Sequence, residues 1–214
     1  ESVKAAIDLQ EDKPQFGLAP DGQSPEIQEI RFKNLGFSYD REKQILDDFN
    51  LRVKRGQNIA LVGETGGGKS TIVNILSRFY EPTSGEVLLD SVDYRERGLE
   101  WWQSQLGIVL QSPHLFSGNV ADNLRYGKPD ATQEEIEHAA KLVRAHDFIM
   151  ELDKGYETVV GEGGTLLSTG QKQLISFARA ILANPQVLIM DEATSSIDTE
   201  TEKLIQEALK VVLK

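Results

Sequence analysis

A nine-residue stretch with four glycines, GETGGGKST at 63–71, constrains the fold of this 214-residue chain more than any other feature. The apolar run at 59–62 precedes it and predicts a buried strand. Apolar residues at helical spacing follow it, beginning with Ile72. A strand, a glycine loop with a lysine, and a helix in this order match the pattern G-x-x-x-x-G-K-S/T. The arrangement predicts a loop that binds a negatively charged group at the start of a helix.

The chemistry of this loop points to phosphate. Glycines let the backbone wrap closely around phosphate oxygens with its N–H groups pointing inward, and the helix start adds partial positive charge. We expect Lys69 to reach the β- and γ-phosphates of a nucleoside triphosphate and the Ser70 hydroxyl to bind Mg2+. A glycine-rich turn with a solvated lysine is the alternative. The predicted nucleotide-binding residues of the loop are Gly63, Glu64, Thr65, Gly66, Gly67, Gly68, Lys69, Ser70 and Thr71.

Two acids follow a second apolar run, in the stretch VLIMDE at 187–192. Ligands of open α/β sheets bind beyond the carboxyl ends of the strands, where these acids would lie. We assign Asp191 to the metal ion and Glu192 to accepting a proton from the attacking water. A pair of helix-capping acids is the alternative.

A second helix start carries small polar residues, in LLSTGQKQLISFARAIL at 166–182. Ser168 is a good N-cap residue, and Thr132 with Glu135 predicts a capping box at another helix. Ser168 is either an ordinary cap or part of a second phosphate-binding helix end. One nucleotide rarely needs two such ends, unless the second serves a nucleotide held by a partner.

Composition excludes several classes of protein. The formal net charge of −11 argues against broad nucleic-acid binding. Without cysteine, the chain has no disulfide and no thiolate metal site. No apolar run reaches the roughly 18 residues needed to cross a bilayer, so we expect no membrane span, although the chain could belong to a membrane complex. Residues 1–28, with three of the seven prolines, are predicted to be a linker.

The stretch LSTGQ at 167–171 resembles the LSGGQ signature of ABC-type ATPases. Other segments match that family in the same order: Tyr39 in GFSYD resembles its adenine-stacking aromatic residue, Gln111 in IVLQSPHLF its Q-loop glutamine, and SSID at 195–198 its D-loop. The segments FSGNVADNLRYG and VVGEGG look like those with which exporter-type members contact the coupling helices of their membrane domain. The resemblance covers residues 29–214, and it implies that the linker at 1–28 comes from a preceding membrane domain.

The resemblance implies an α/β fold: a P-loop NTPase core with a mostly parallel sheet flanked by helices, an antiparallel β subdomain and an α-helical subdomain. It implies that two such domains pair head to tail around Mg-ATP, so that Ser168, Gly170 and Gln171 act on the partner's nucleotide. ATP hydrolysis would drive transport from the cytoplasmic side of the cell membrane. The implied catalytic residues are Glu192, Lys69 and Gln111, and the implied metal ligands are Ser70, Gln111 and Asp191. A second ATP-binding domain and the coupling helices are the implied partners, without nucleic acid.

Two of the departures from the family pattern carry a consequence for function. Thr169 replaces the first glycine of the signature, and a β-branched residue is restricted in backbone conformation, which suggests a heterodimer with one weakened site. All three histidines lie upstream of the strand that carries the family's γ-phosphate histidine. We therefore expect a C-terminally incomplete domain with weak turnover. Two alternative functions remain: a soluble ABC-type ATPase acting on nucleic acid or ribosomes, and a non-hydrolysing dimerisation switch.

Overall fold

The computed structural model describes residues 25–40, 43–64, 66–110, 112–190 and 203. Most of the predicted linker and the segment that follows residue 190, apart from residue 203, lie outside the described residues. The chain divides into two compact units, Glu1–Leu106 and Gly107–Lys214. No helix in the described part of the chain combines the length and the apolar character needed to cross a membrane.

The first unit is built around an antiparallel sheet of four strands: β1 (Glu29–Ser38), β2 (Gln44–Lys54), β3 (Ser84–Leu89) and β4 (Val92–Asp93). Their order is β2-β1-β3-β4, and each neighbouring pair runs antiparallel. This sheet confirms the predicted antiparallel β portion of the fold.

Apolar side chains of the sheet and of two helices form the interior of the first unit. The helices are α1 (Lys69–Leu76) and α2 (Leu99–Ser104). Ile72 and Ile75 are buried on α1, as the helical spacing after the glycine loop predicts. Trp102 of α2 is fully buried, and its indole Nε1 donates to the Leu76 carbonyl at 2.6 Å. This bond fixes the C-terminal end of α1, the helix that begins at the glycine loop.

The predicted buried strand at 59–62 is wrong for this structure. The segment belongs to none of the described sheets, and Ile59 and Val62 are 47% and 92% exposed. An apolar run indicates a tendency to be buried, but a strand also needs a neighbour that pairs with it, and strand propensity depends strongly on that context. The glycine loop is therefore preceded here by a segment without regular secondary structure rather than by a strand.

The second unit is mainly helical. It contains α3 (Val120–Arg125), α4 (Gln133–Leu142), α5 (His146–Glu151) and α6 (Thr169–Leu182), and strands β5 (Leu106–Val109) and β6 (Val187–Met190) pair with each other. The longest helix, α6, packs against both α3 and α4. The large side chains fully buried in this unit include Leu115, Leu124, Ile136, Ile149 and Ile175.

Capping boxes begin three of these helices, α3, α4 and α6. Thr132 and Glu135 form the predicted capping box at α4, since each side chain accepts from the other residue's backbone N–H. The chain then turns at Arg144, whose φ of 59° lies in the left-handed region and separates α4 from α5. The region from Gln133 to Glu151 thus forms two helices separated by this turn.

Candidate nucleotide-binding site

Three consecutive glycines give the loop before α1 its shape. Gly66 and Gly68 have φ values of 84° and 85°, which only glycine adopts readily. A Cβ on Gly67 would lie 3.0 Å from the Glu64 carbonyl oxygen, and one on Gly68 would lie 2.8 Å from Cδ2 of Leu46. A Cβ on Gly63 would meet nothing within 4 Å. The loop is therefore crowded at Gly67 and Gly68, whereas a Cβ on Gly66, like one on Gly63, would meet nothing within 4 Å.

Lys69 lies across this loop. Its ammonium donates to the carbonyl oxygens of Gly63 and Glu64 at 2.7 and 2.9 Å, and the Gly67 N–H also donates to the Glu64 carbonyl at 3.0 Å. An ammonium group has three donors and no acceptor, so it prefers a negatively charged partner to two neutral carbonyls. The lysine is placed to exchange these carbonyls for the oxygens of a bound anion.

The start of α1 is open to a ligand. Gly68 has no side chain with which to cap the first-turn amides, and that turn contains no acidic residue. Unpaired amides at a helix start carry partial positive charge and bind anions. Ser70 is exposed in this turn, whereas Thr71 is buried. An exposed hydroxyl beside Lys69 fits the predicted metal-ligand role of Ser70.

Tyr39 lies next to the same helix. Its hydroxyl is 3.2 Å from the Thr71 hydroxyl, and its ring meets Phe37 and Tyr80 edge-on with centroid distances of 4.8 and 5.1 Å. The side chain is held by these contacts and remains 51% exposed. The structure thus brings Tyr39 and the glycine loop together within one unit, with an aromatic surface available for stacking.

The signature segment starts α6 with a complete capping box. The Ser168 hydroxyl accepts from the Gln171 N–H at 3.2 Å, and the Gln171 side-chain oxygen accepts from the Ser168 N–H at 3.0 Å. Gly170 is buried, while Ser168 and Thr169 are exposed. The Ser168 side chain is therefore both a cap and accessible from outside the unit.

Thr169 adopts its backbone conformation in this structure without strain. Thr169 is the first residue of α6 and is not among the residues with positive φ. Right-handed helical geometry is open to a β-branched residue, at a small cost in propensity. The replacement of glycine at this position therefore strains nothing in the helix start.

Four of the predicted site residues lie outside the described residues: Thr65, Gln111, Asp191 and Glu192. Their roles in metal binding and water activation stay predictions. Among the residues that the structure does describe, no three acidic, histidine or cysteine side chains cluster as a metal site would require. Ser70 is the one predicted metal ligand whose position can be inspected.

Two polar residues of α6 were missed by the sequence analysis. Gln173 is fully buried, and its amide Nε2 donates to the carbonyl of Leu110, the residue before Gln111. Arg179 contacts the segment that resembles the coupling-helix contact of exporters. The available signal was their polarity within the otherwise apolar run QLISFARAIL at 173–182.

Comparisons with known proteins place the chain in a family. A family model described as "ABC transporter" matches residues 46–195. The putative multidrug export ATP-binding/permease protein YgaD of Bacillus subtilis is 51% identical over 186 residues, which cover 86% of this chain and 32% of that protein. ABC transporter B family member 3 of Dictyostelium discoideum is 48% identical over 200 residues, 92% of this chain and 14% of that protein.

A solved structure agrees with these relatives. The structure of a bacterial Atm1-family ABC exporter with ATP bound matches with a TM-score of 0.86 and 36% identity, over 100% of this chain and 37% of that one. The chain thus spans about a third or less of the length of the curated relatives it matches. Because the family model covers more than half of the chain and the similarity extends over most of it, the chain belongs to the ABC transporter family.

Proposed function

We propose that this chain is the ATP-binding and ATP-hydrolysing motor domain of an ABC exporter. The observation that carries the proposal is the open start of α1, with Lys69 lying across a loop of glycines and exposed Tyr39 beside it. Two relatives whose names or titles describe exporters support the transport role. The family likeness also supports a mostly parallel core sheet, beyond the antiparallel sheet described above.

The loop and Tyr39 divide the recognition of ATP between them. The triphosphate binds to the amides of 63–71, and Lys69 leaves the Gly63 and Glu64 carbonyls to contact the β- and γ-phosphates. The adenine stacks on the ring of Tyr39, whose contacts with Phe37 and Tyr80 hold it in place. Tyr39 and Lys69 thus bind opposite ends of the same nucleotide.

Hydrolysis requires the residues that surround the γ-phosphate. Glu192 accepts a proton from the attacking water, and Gln111 orients that water. Ser70, Gln111 and Asp191 would hold Mg2+. When bound, the ion neutralises charge that develops on the phosphate oxygens. These assignments rest on the family resemblance and on the exposed Ser70 hydroxyl at the start of α1.

The signature segment acts on a second nucleotide. Ser168, Gly170 and Gln171 face the ATP held by a partner domain, so that ATP joins two domains and hydrolysis separates them. The exposed Ser168 hydroxyl at the positive end of α6 supports this role. The partner is a second ABC domain, of the same or of a different chain.

The surface around Phe116 and Tyr126 is the proposed site of contact with a membrane domain. Both side chains are exposed, by 38% and 58%, and their rings stack with centroids 4.1 Å apart. Exposed apolar patches of this kind mark interaction sites. The coupling helices of a membrane domain are the proposed partner, which locates the chain at the cytoplasmic face of the cell membrane.

The proposal is tested by measuring Mg-ATP binding and phosphate release on one sample. Tyr39→Ala is expected to weaken binding by about tenfold, because a base–aromatic stack contributes about 1–3 kcal/mol. Tyr39→Phe keeps the ring and is expected to bind within about threefold of wild type, since an exposed hydroxyl bond contributes little. Glu192→Gln is expected to keep binding and to abolish phosphate release.

Lys54→Met serves as the control, because it removes an exposed lysine of β2 away from the loop. The Lys54→Met variant should change neither Mg-ATP binding nor phosphate release. Wild-type chain that binds no Mg-ATP, or a Glu192→Gln variant that releases phosphate at the wild-type rate, would contradict the proposal.

A further inference from the structure

The guanidinium of Arg179 joins α6 to the segment 114–126. Its Nε donates to the Asn123 carbonyl at 2.9 Å, one terminal nitrogen donates to the Asn123 side-chain oxygen at 3.0 Å, and the other donates to the His114 carbonyl at 3.2 Å. These acceptors lie at the two sides of Phe116 along the chain. One side chain of the signature helix therefore holds the segment at two points.

The same guanidinium lies under an aromatic surface, which we call the aromatic platform and define as His114, Phe116 and Tyr126. Its central carbon is 5.1 Å from the ring centroid of Phe116 and 5.9 Å from that of Tyr126. His114 meets Phe116 edge-on at 5.5 Å. Cation–π contacts at these distances orient both rings relative to Arg179.

Arg179 is mostly buried, and it forms no ion pair within the described residues. Burial lowers the pKa of its guanidinium, which reflects the cost of removing a charge from water without a carboxylate. An apolar side chain would fill the same space without that cost. The contacts that compensate for it are the carbonyl oxygens and the rings of one segment.

Asn123 connects Arg179 to other backbone groups of the segment 114–126. It is fully buried, its side-chain oxygen accepts from the Phe116 N–H at 2.8 Å, and its amide donates to the carbonyls of Phe116 and Asn119 at 3.0 Å each. The backbones are also close: a Cβ on Gly127 would lie 2.1 Å from the Arg179 carbonyl oxygen. The platform has little freedom to shift while Arg179 keeps these contacts.

We infer that Arg179 is a positioning residue that fixes the aromatic platform to the signature helix, so that a movement of α6 carries the platform with it. Arg179 lies nine positions after Gly170 on the same helix, which is about 14 Å along its axis at 1.5 Å per residue. The inference deepens the proposed function and rests on it, because there the signature faces ATP and the platform faces the membrane domain. A guanidinium fork suits this task, since three donors reach three acceptors at once.

Hydrogen–deuterium exchange of the whole chain tests the link directly. Arg179→Lys keeps the charge but cannot reach all three acceptors, and Arg179→Met keeps only the bulk. Both are expected to raise amide exchange in 114–126 by about tenfold or more, given the strength of charged hydrogen bonds, while exchange in α4 stays unchanged. Arg144→Met removes an exposed arginine of the same unit and should leave all peptides unchanged.

Addition of Mg-ATP in a Glu192→Gln background separates positioning from mere stability. In the parent chain, peptides at 167–172 and at 114–126 should both change their exchange. In the Arg179 variants the change at 167–172 should persist and the change at 114–126 should be lost. If the Met variant does not fold, the Lys variant carries the comparison.

A result that overturns the role of Arg179 can be distinguished from one that contradicts the proposed function. Exchange in 114–126 within about twofold of wild type in the Lys variant, or an ATP response that still reaches this segment, overturns the role of Arg179. A parent chain without any ATP response at 167–172 contradicts the proposed function instead, and the ATP-free comparison then still decides whether Arg179 fixes the platform.

Discussion

The starts of α1 and α6, which both contain glycine, are capped in opposite ways. At α1 the chain supplies no cap: Gly68 has no side chain, and Lys69 rests on carbonyl oxygens of its own loop. At α6 the chain supplies a complete cap, because Ser168 and Gln171 satisfy each other's backbone N–H groups. Both starts carry the positive end of a helix, but at α6 the cap already occupies the Gln171 N–H, whereas α1 has no side-chain cap.

This difference separates two kinds of contact with a phosphate. An uncapped start can surround an anion with backbone N–H groups and bind it within one chain. A capped start has already used part of its donors, so it offers an exposed Ser168 hydroxyl and the helix dipole. We therefore expect the start of α1 to determine affinity for ATP, and the start of α6 to add a weaker contact from outside.

Lys69→Met gives the largest expected effect on this comparison. Hydrogen bonds to charged groups contribute about 1.5–3 kcal/mol each, so the loss of the ammonium should weaken Mg-ATP binding by about a hundredfold. Isothermal titration calorimetry measures the change. Lys172→Met, near the start of α6, is the matched variant and should bind ATP within about threefold of wild type. Equal losses in both variants would remove the distinction between the two starts.

Alanine substitutions of two glycines are expected to differ in stability. Gly68→Ala forces a left-handed φ of 85° and a contact with Leu46, at a cost of about 1–3 kcal/mol in unfolding free energy. Gly63→Ala meets open space and should change that free energy by less than about 0.5 kcal/mol. Urea unfolding of the two variants checks this. A Gly63 variant as unstable as the Gly68 variant would show that the loop shape described here is wrong.

Ser168→Ala is expected to lower the unfolding free energy by about 1 kcal/mol, because the α6 cap is lost. The second unit should show the change in hydrogen exchange, at the first turn of α6. Ser168→Asp restores a good N-cap and should recover most of this loss. If alanine has no effect, then the capping box contributes nothing and the two starts differ less than the structure indicates.

The smallest expected effect concerns the start of α4, and this effect on the free energy of unfolding depends on pH. The Glu135 carboxylate caps α4 and contacts Lys128 at 2.6 Å, and the Lys128 hydrogen bond lowers the pKa of Glu135 below its ordinary value near 4.5. Because the pKa of Glu135 is lower in the folded state, its ionised carboxylate stabilises the fold at pH values above its unfolded-state pKa. That stabilisation is lost as the pH falls through its folded-state pKa. Glu135→Gln keeps a capping side chain and should flatten this part of the pH profile. Chemical unfolding between pH 3 and 7 would show no difference from wild type if the pairing were irrelevant.

The features that the sequence predicts correctly are short-range. Ser168 caps α6 as predicted, and Thr132 forms the predicted capping box with Glu135 three residues later, so local spacing decides both. The glycine loop and the start of α1 are local in the same sense. These features could be predicted because no distant residue decides them.

The predictions that failed, and the features that were missed, depend on residues far apart in the chain. Whether 59–62 becomes a strand depends on a pairing partner that the apolar pattern does not identify. The burial of Arg179 depends on Asn123, 56 residues earlier, and neither residue alone signals the contact. Propensity and periodicity carry no information about such pairs, so only the fold brings them together.

The most direct test of the account is sedimentation velocity of the chain with Mg-ATP, with the nucleotide detected by its own absorbance. Wild type, Lys69→Met and Ser168→Asp are compared in the Glu192→Gln background. We expect Ser168→Asp to carry bound nucleotide as the parent does but to lose the ATP-dependent dimer, because its added charge repels a partner's phosphates. Lys69→Met should carry no nucleotide. Nucleotide that still sediments with Lys69→Met, or that is lost from Ser168→Asp, would contradict the assignment of ATP to the start of α1.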